Sequence, residues 1–182
     1  MNGPIMRLPE IIRRGLLAWA QWYMGRREPD QPIGGDYLHR WWVTPWRAWG
    51  NRHASSPLRR WLARWPNVYV HSYGRSDYDR ALHDHPWPSL SIILAGGYWE
   101  WLPTTAPRDD EHADAATSVV PQWRGPGAIT TRSAESAHRI ELVDDRAVIT
   151  LFVTGQRRRQ WGFLCPEGWR SSHDWTDNGG CD

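Results

Sequence analysis

Between residues 67 and 163 the chain consists of short apolar or aromatic runs separated by glycine, proline and polar residues. The runs are residues 68–73, 89–95, 98–102, 118–120, 128–130, 138–143 and 147–153. Many short strands at close spacing, punctuated by turn residues, predict a β-sandwich or barrel. The pair Gly96-Gly97 predicts a hairpin turn between the second and third runs. The polar and acidic residues 103–117 predict a solvated loop.

Residues 1–66 follow a helical rather than a strand period. Apolar residues recur at helical spacing from Ile11 to Tyr23, which predicts an amphipathic helix that ends around Gly25. A weaker helical pattern covers residues 36–49, and a short one covers residues 58–65, where Pro66 stops it. We therefore predict an α-helical extension over residues 1–66, a β-barrel over residues 67–164, and a tail over residues 165–182 that packs on the barrel.

Composition restricts the possible partners and the compartment. The net charge of +2 is too small to indicate nucleic acid or an anionic membrane by itself. Cys165 and Cys181 form no CxxC pair, so we expect two buried or idle thiols in a reducing compartment. No segment reaches the roughly 18 apolar residues of a spanning helix. These features predict a cytoplasmic protein that does not bind membranes.

The sharpest local motif is His83-Asp84-His85. Side chains alternate across a strand, so the two imidazoles point to one side, roughly 7 Å apart along the chain. Two imidazoles so placed can converge on one ion at about 2.1 Å. An isolated pair of this kind is also compatible with a chance surface arrangement.

Further residues extend this motif and resemble the two sequence motifs of the cupin superfamily. The first cupin motif is HxH, three or four residues, Glu, six residues and Gly; here Ser89 stands in the position of the Glu, and Gly96 follows in register. The second is a Pro-Gly turn, a strand, a turn and a His; here Pro126-Gly127 is followed by His138, eleven residues after Gly127. The resemblance covers roughly residues 68–155. It implies a mainly β double-stranded β-helix, a jelly-roll-like barrel, with a metal site at His83, His85 and His138.

The serine at position 89 departs from the usual cupin ligand set. Serine is a poor metal ligand, so the predicted site has three neutral imidazoles and open coordination positions. Such a site resembles that of the three-His thiol dioxygenases, such as cysteine dioxygenase, in which iron(II) binds substrate and O₂ together. The resemblance favours Fe(II), although imidazoles alone also suit Zn, Ni or Mn.

Alternation along the strands nominates the neighbours of the metal. Trp87, Ser89 and Ser91 should face inward with the histidines, either lining the pocket or only packing there. Arg132 is a candidate for binding a substrate carboxylate or phosphate, because a guanidinium fork suits such groups. His71, on the first barrel strand, is a candidate for supporting the metal ligands from the interior, or is an ordinary core or rim histidine. Asp84 should face away from the metal.

The sequence predicts a metal-dependent cupin enzyme, with a non-haem iron dioxygenase acting on a small polar, amino-acid-like substrate as the first hypothesis. One alternative is a lyase, decarboxylase or isomerase that does not use O₂, possibly acting on a nucleotide or modified DNA base. A second is a non-catalytic ligand-binding cupin.

Arginine and tryptophan alternate over residues 26–65, and Arg157, Arg158 and Arg159 add a basic run. These make nucleic acid a possible but not favoured partner. The N-terminal extension is also a possible homodimer contact.

Overall fold

The computed structural model describes residues 6–44, 55–62, 64–77, 81–104, 119–144, 146–165, 168–174 and 181. Within them lie two α-helices, α1 (Glu10–Met24) and α2 (Pro57–Leu62), and a short 3-10 helix (Ser172–Asp174). The strands are β1 (Gln31–Ile33), β2 (Leu38–Trp42), β3 (Asn67–Tyr73), β4 (Leu82–His83), β5 (Ser89–Ala95), β6 (Tyr98–Pro103), β7 (Val119–Arg124), β8 (Ile129–Arg132), β9 (Arg139–Leu142), β10 (Val148–Thr154), β11 (Gly162–Cys165) and β12 (Gly168–Ser171).

The strands form two facing antiparallel layers. One layer is a six-stranded sheet with the order β1-β2-β3-β10-β5-β8. The other consists of the sheets β12-β11-β4 and β7-β6-β9, which an isolated bridge between His83 and His138 joins. A core cluster fills the space between the layers: it combines Ile93 and Val148 of the first with Tyr98, Ile140 and Leu142 of the second. These two antiparallel layers agree with the mainly β, double-stranded β-helix architecture that the sequence predicted.

Helix α1 covers the outer face of the six-stranded sheet. Its Ala20 is fully buried in a cluster with Trp41 of β2, Val70 of β3 and Leu94 of β5. The helix begins at Glu10 and ends before Gly25, which confirms the predicted amphipathic helix. Helix α2 confirms the short helix before Pro66.

The predicted helical pattern over residues 36–49 is wrong where the structure describes it, because residues 38–42 form strand β2. Leu38 pairs with Tyr73 and Trp42 with Tyr69, so β2 occupies an edge of β3 that would otherwise leave backbone groups unpaired. The pairing of β2 with β3 therefore outweighs the weak helical spacing of apolar residues in this segment. The six-stranded sheet contains strands from both sides of the predicted boundary at residue 66, and the division into domains stays a prediction.

The predicted hairpin across Gly96-Gly97 is also wrong. Strand β5 pairs with β8 and β10, whereas β6 pairs with β7 and β9, so the two glycines carry the chain from one layer to the other. Gly96 has a φ of 71°, and a Cβ atom there would lie 2.7 Å from the carbonyl oxygen of Ala147. Glycine is thus needed for this tight crossing.

Strand β12 pairs with β11, which brings the tail back along the barrel. Cys165, at the end of β11, forms a disulfide with Cys181. The expectation of two idle thiols is therefore wrong, because the return of the chain brings together cysteines whose sequence spacing gave no sign of pairing. Disulfides are typical of oxidising compartments, and the cytoplasmic location stays a prediction.

Some predictions lie outside the described residues. These are the solvated loop, apart from Pro103 and Thr104, and residues 45–54 of the arginine- and tryptophan-rich segment. Among the described residues, no helix is long and apolar enough to cross a membrane.

Candidate metal centre

Two of the predicted ligands face each other across a backbone bridge. His83 and His138 exchange both of their main-chain hydrogen bonds, each N–H donating to the other carbonyl at 2.9 Å. Residues directly opposite each other in an antiparallel pair extend their side chains from the same face. The bridge therefore places the two imidazoles side by side, with ring centroids 5.0 Å apart.

His85 completes a nearly equilateral triangle. Its ring centroid lies 5.2 Å from that of His83 and 5.1 Å from that of His138. The main-chain N–H of His85 donates to the carbonyl of Ala134 at 3.1 Å, which holds this residue against the turn before His138. One nitrogen from each ring can be chosen so that all three lie within 4.8 Å of one another. The structure therefore brings His83, His85 and His138 together, and their role as metal ligands stays a prediction.

The donor atoms suit a divalent ion. Nε2 of His85 and Nε2 of His138 lie 2.8 Å apart, a separation at which both can contact one ion at about 2.1 Å. Burial and the neighbouring His138 lower the pKa of His85 well below its ordinary value. Burial and Arg132 lower the pKa of His138 to about 4, although the nearby Glu100 carboxylate acts in the opposite direction. Both rings are thus neutral near pH 7, the form that binds metals.

A buried carboxylate lies behind His138. Oε1 of Glu100 is 2.9 Å from Nδ1 of His138, and Glu100 is fully buried. Although burial raises the pKa of Glu100, Arg132, His138 and Arg124 hold it well below its ordinary value. An ionised carboxylate only accepts hydrogen bonds, so it favours the tautomer with the proton on Nδ1 and the lone pair on Nε2. The charge of Glu100 thus favours a proton on Nδ1 of His138, although Nδ1 makes no hydrogen bond of good geometry among the described residues.

The same carboxylate pairs with two arginines. Nε of Arg132 donates to Oε1 of Glu100 at 2.8 Å, and Nε of Arg124 donates to Oε2 at 2.6 Å. Arg132, predicted to bind a substrate anion, is 8% exposed and directs its Nε and Nη2 groups at Glu100. Two guanidiniums and one carboxylate leave one excess positive charge in this buried network.

A second carboxylate, Asp77, lies near His83. Its Oδ2 is 3.8 Å from Nδ1 of His83, too far for a hydrogen bond, and accepts one from the N–H of Ile140 at 2.6 Å. Its Oδ1 accepts a hydrogen bond from the hydroxyl of Tyr37. Asp77 thus ties the segment before β4 to β9, the strand that follows His138.

The three histidines open onto a cavity of about 80 Å³ between the two layers. Its lining residues are Tyr37, Leu38, Arg40, His71, Tyr73, His83, His85, Trp87, Ser91, Tyr98, Arg132, His138, Ile140 and Phe152. The structure thus places Trp87, Ser91 and Arg132 in the cavity wall. Ser89 is buried but does not line the cavity, and its hydroxyl has no hydrogen-bond partner among the described residues.

His71 faces the cavity on strand β3, directly opposite Arg40 of β2. Nε of Arg40 donates to Nε2 of His71 at 2.9 Å, and the imidazole stacks on Phe152 with centroids 4.7 Å apart. Burial and then Arg40 lower the pKa of His71 well below its ordinary value, so it accepts this hydrogen bond as a neutral ring. His71 positions Arg40.

Asp84, between two of the histidines, points away from them as alternation predicts. Its carboxylate is buried and accepts hydrogen bonds from the N–H of Gly162 at 2.8 Å and from Nε1 of Trp169 at 2.9 Å. Nη1 of Arg159, part of the basic run, lies 2.8 Å from Oδ2 of Asp84. Asp84 therefore attaches the β11–β12 hairpin to the segment that carries the metal ligands.

We expect Asp84→Asn to lower the free energy of unfolding by about 1–3 kcal/mol, because it removes the charge and one acceptor from three buried or half-buried donors. Urea denaturation measures this loss. The matched control is Asp144→Asn, whose partner Arg146 is 80% exposed and whose effect should stay within about 0.5 kcal/mol. Equal effects at both positions would show that Asp84 does not hold the hairpin.

Glu100 and Arg40 are among the site residues that the sequence analysis missed. Glu100 carried a usable signal, because alternation along residues 98–102 places an acid on the same face as Tyr98 and Leu102. Arg40 carried none, since it lies in the segment whose local pattern is helical. Its place in the cavity depends on the pairing of β2 with β3.

No protein-family model matches the sequence, and none of the curated proteins matches it. Solved structures of low similarity include Bacillus subtilis oxalate decarboxylase, which has Mn(II) centres (12% identity, 78% of this chain and 31% of that chain, TM-score 0.45). Another is KdgF from Halomonas sp. (10% identity, 70% of this chain and 87% of that chain, TM-score 0.42). A third is a Klebsiella pneumoniae protein with a double-stranded β-helix domain (12% identity, 73% of this chain and 88% of that chain, TM-score 0.43).

Proposed function

We propose that this chain is a metal-dependent cupin enzyme in which His83, His85 and His138 hold one divalent ion. The observation that carries the proposal is the convergence of three imidazoles that line one small cavity. Among the described residues, no carboxylate joins this cluster. When bound, the ion supplies Lewis acidity and, if it is iron(II), a redox-active site for O₂.

The residues around the cluster perform three tasks in this proposal. The negative charge of Glu100, 2.9 Å from Nδ1 of His138, favours a proton on Nδ1 and so leaves Nε2 available as a ligand. Arg132 and Arg124 keep Glu100 ionised. Tyr73, Phe152 and Ile140 line the cavity with rings and apolar surface, which excludes bulk water from the reacting groups.

The more specific hypothesis is a non-haem iron(II) dioxygenase acting on a small polar, amino-acid-like substrate. The absence of a carboxylate ligand among the described residues supports it, through the resemblance to thiol dioxygenases. Cavity size supports a small substrate over a nucleotide, because pockets for drug-sized ligands measure about 300–1,000 Å³.

The test combines metal analysis with oxygen uptake. Protein loaded anaerobically with Fe(II) should consume O₂ when L-cysteine or another small amino acid from a panel is added, and both oxygen atoms should enter the product. Uptake should disappear in His83→Ala and persist in His173→Ala, an exposed histidine outside the cluster. Turnover that continues without O₂ would replace this hypothesis with the lyase, decarboxylase or isomerase. Metal and ligand binding with no turnover would indicate the binding protein.

A further inference from the structure

The indole N–H of Trp87 is a buried donor that no acceptor contacts within the part of the chain that the structure describes. Trp87 follows His85 by two positions and lines the same cavity as the three histidines. Most buried polar groups in proteins are hydrogen-bonded, by the chain itself or by a bound molecule. An unpaired donor at a cavity of this kind therefore indicates a partner that comes from outside the chain.

The backbone on both sides of Trp87 is anchored. Trp87 lies between Pro86 and Pro88, and the ring of Pro88 restricts the residue before it to extended conformations. The carbonyl of Pro86 accepts a hydrogen bond from the N–H of Arg158 at 2.7 Å, and that of Pro88 accepts one from the N–H of Gly155 at 2.9 Å. A backbone shift that carried the indole to another acceptor would break these hydrogen bonds. The donor is thus fixed before a ligand arrives, which reduces the entropy lost on binding.

Other donors of the cavity wall already have partners. Arg132 directs its Nε and Nη2 groups at the carboxylate of Glu100, and the hydroxyl of Tyr37 donates to Oδ1 of Asp77. A ligand would have to compete with a carboxylate for each of these groups. The N–H of Trp87 breaks no hydrogen bond to a described residue when it binds a ligand, so an acceptor placed against it adds a hydrogen bond without that cost.

The chemistry of this donor and the size of the cavity limit the ligand. An indole N–H can only donate, so a ligand that satisfies it must present an acceptor atom. The cavity volume of about 80 Å³ is well below that of pockets for drug-sized molecules, which leaves room for only a few non-hydrogen atoms. A short molecule with a carbonyl or carboxylate oxygen meets both requirements.

We propose that the indole N–H of Trp87 donates a hydrogen bond to a carbonyl or carboxylate oxygen of the substrate in this cavity. The proposal rests on the proposed function in placing the substrate beside the metal. Trp87 then selects small molecules that carry such an oxygen, because an analogue without an acceptor leaves the buried N–H unpaired. A residue that only packs against the histidines would have no use for this N–H.

The test follows the indole proton of Trp87 by NMR in isotope-labelled, Zn(II)-loaded protein while acetate is added at constant ionic strength. We expect its resonance to move downfield as acetate binds, because a hydrogen bond to an oxygen deshields the proton. Trp87→Phe keeps an aromatic ring but removes the N–H, and should weaken acetate binding at least about tenfold in calorimetry. The matched control is Trp101→Phe, which should leave the affinity unchanged, since Nε1 of Trp101 donates to Glu141 at 2.8 Å and Trp101 does not line the cavity.

The outcomes separate the role of Trp87 from the proposed function. Failure of the wild-type chain to bind Zn(II) would overturn the proposed function, whereas the same acetate titration of metal-free protein still decides the role of Trp87. An indole resonance that stays in place at saturating acetate would overturn that role, even if Trp87→Phe does not fold. The absence of any acetate binding to either form of the wild-type chain, or equal acetate affinity in folded Trp87→Phe, would also overturn it.

Discussion

Glu100→Ala is expected to lower the free energy of unfolding by about 3–5 kcal/mol, one of the two largest effects that we predict. The carboxylate is fully buried, and its removal leaves Arg124 and Arg132, both under 10% exposed, without their shared counter-charge. The unfolding free energy should be measured in urea with a chelator present, so that bound metal does not contribute.

Glu141→Ala is the control for this prediction. Glu141 lies on the neighbouring strand with its side chain 44% exposed, and it contacts Arg139 and Trp101. Its replacement should cost less than about 1 kcal/mol. A similarly small loss for Glu100→Ala would show that the two arginines find other partners and that the network is not essential to the fold.

In addition, Glu100→Gln should weaken metal binding about 10–100-fold if the carboxylate orients His138.

The second large effect is expected for His138→Ala. Metal content should fall from about one ion per chain to below about a tenth, because two imidazoles remain where three converged. Elemental analysis after gel filtration measures it. His173→Ala should keep the full content, and equal metal content in both variants would contradict the site.

A thermal measurement supports the same prediction independently. A ligand that binds only the folded chain stabilises it by about 2.7 kcal/mol at one hundred times its dissociation constant. Added metal should therefore raise the melting temperature of the wild-type chain and of His173→Ala, but not that of His138→Ala. A rise in all three would locate the ion elsewhere.

The histidine cluster was predictable because its residues are either close together in the sequence or separated by the interval that the cupin motif has. His83 and His85 share a strand face by alternation, and His138 follows a Pro-Gly turn at the cupin interval. Helix α1 was predictable because its apolar residues repeat over fifteen positions. In both cases the residue spacing follows from the element that carries it, because one face of a strand or helix is turned toward the interior.

The features that were missed depend on long-range pairing. Gly96-Gly97 has the composition of a hairpin turn, but the partners of β5 and β6 lie elsewhere in the chain. The disulfide joins Cys165 to Cys181, a contact that the sequence spacing of the two cysteines does not indicate. Arg40 enters the cavity only because β2 pairs with β3. Residue types and spacing do not specify such pairings within a single sequence.

The bridge between His83 and His138 has a consequence for when the metal can be acquired. His85 and His138 are 53 positions apart, so the cluster cannot form from a local segment of the chain. Its assembly requires the closure of long loops, which makes non-local β structures slow to fold. We therefore expect the nascent and early collapsed chain to have little selectivity among ions, with selective uptake beginning only after the two layers have closed. An ion bound at that point would act as a cross-link between distant parts of the chain, and its loss would lower the stability of the whole barrel.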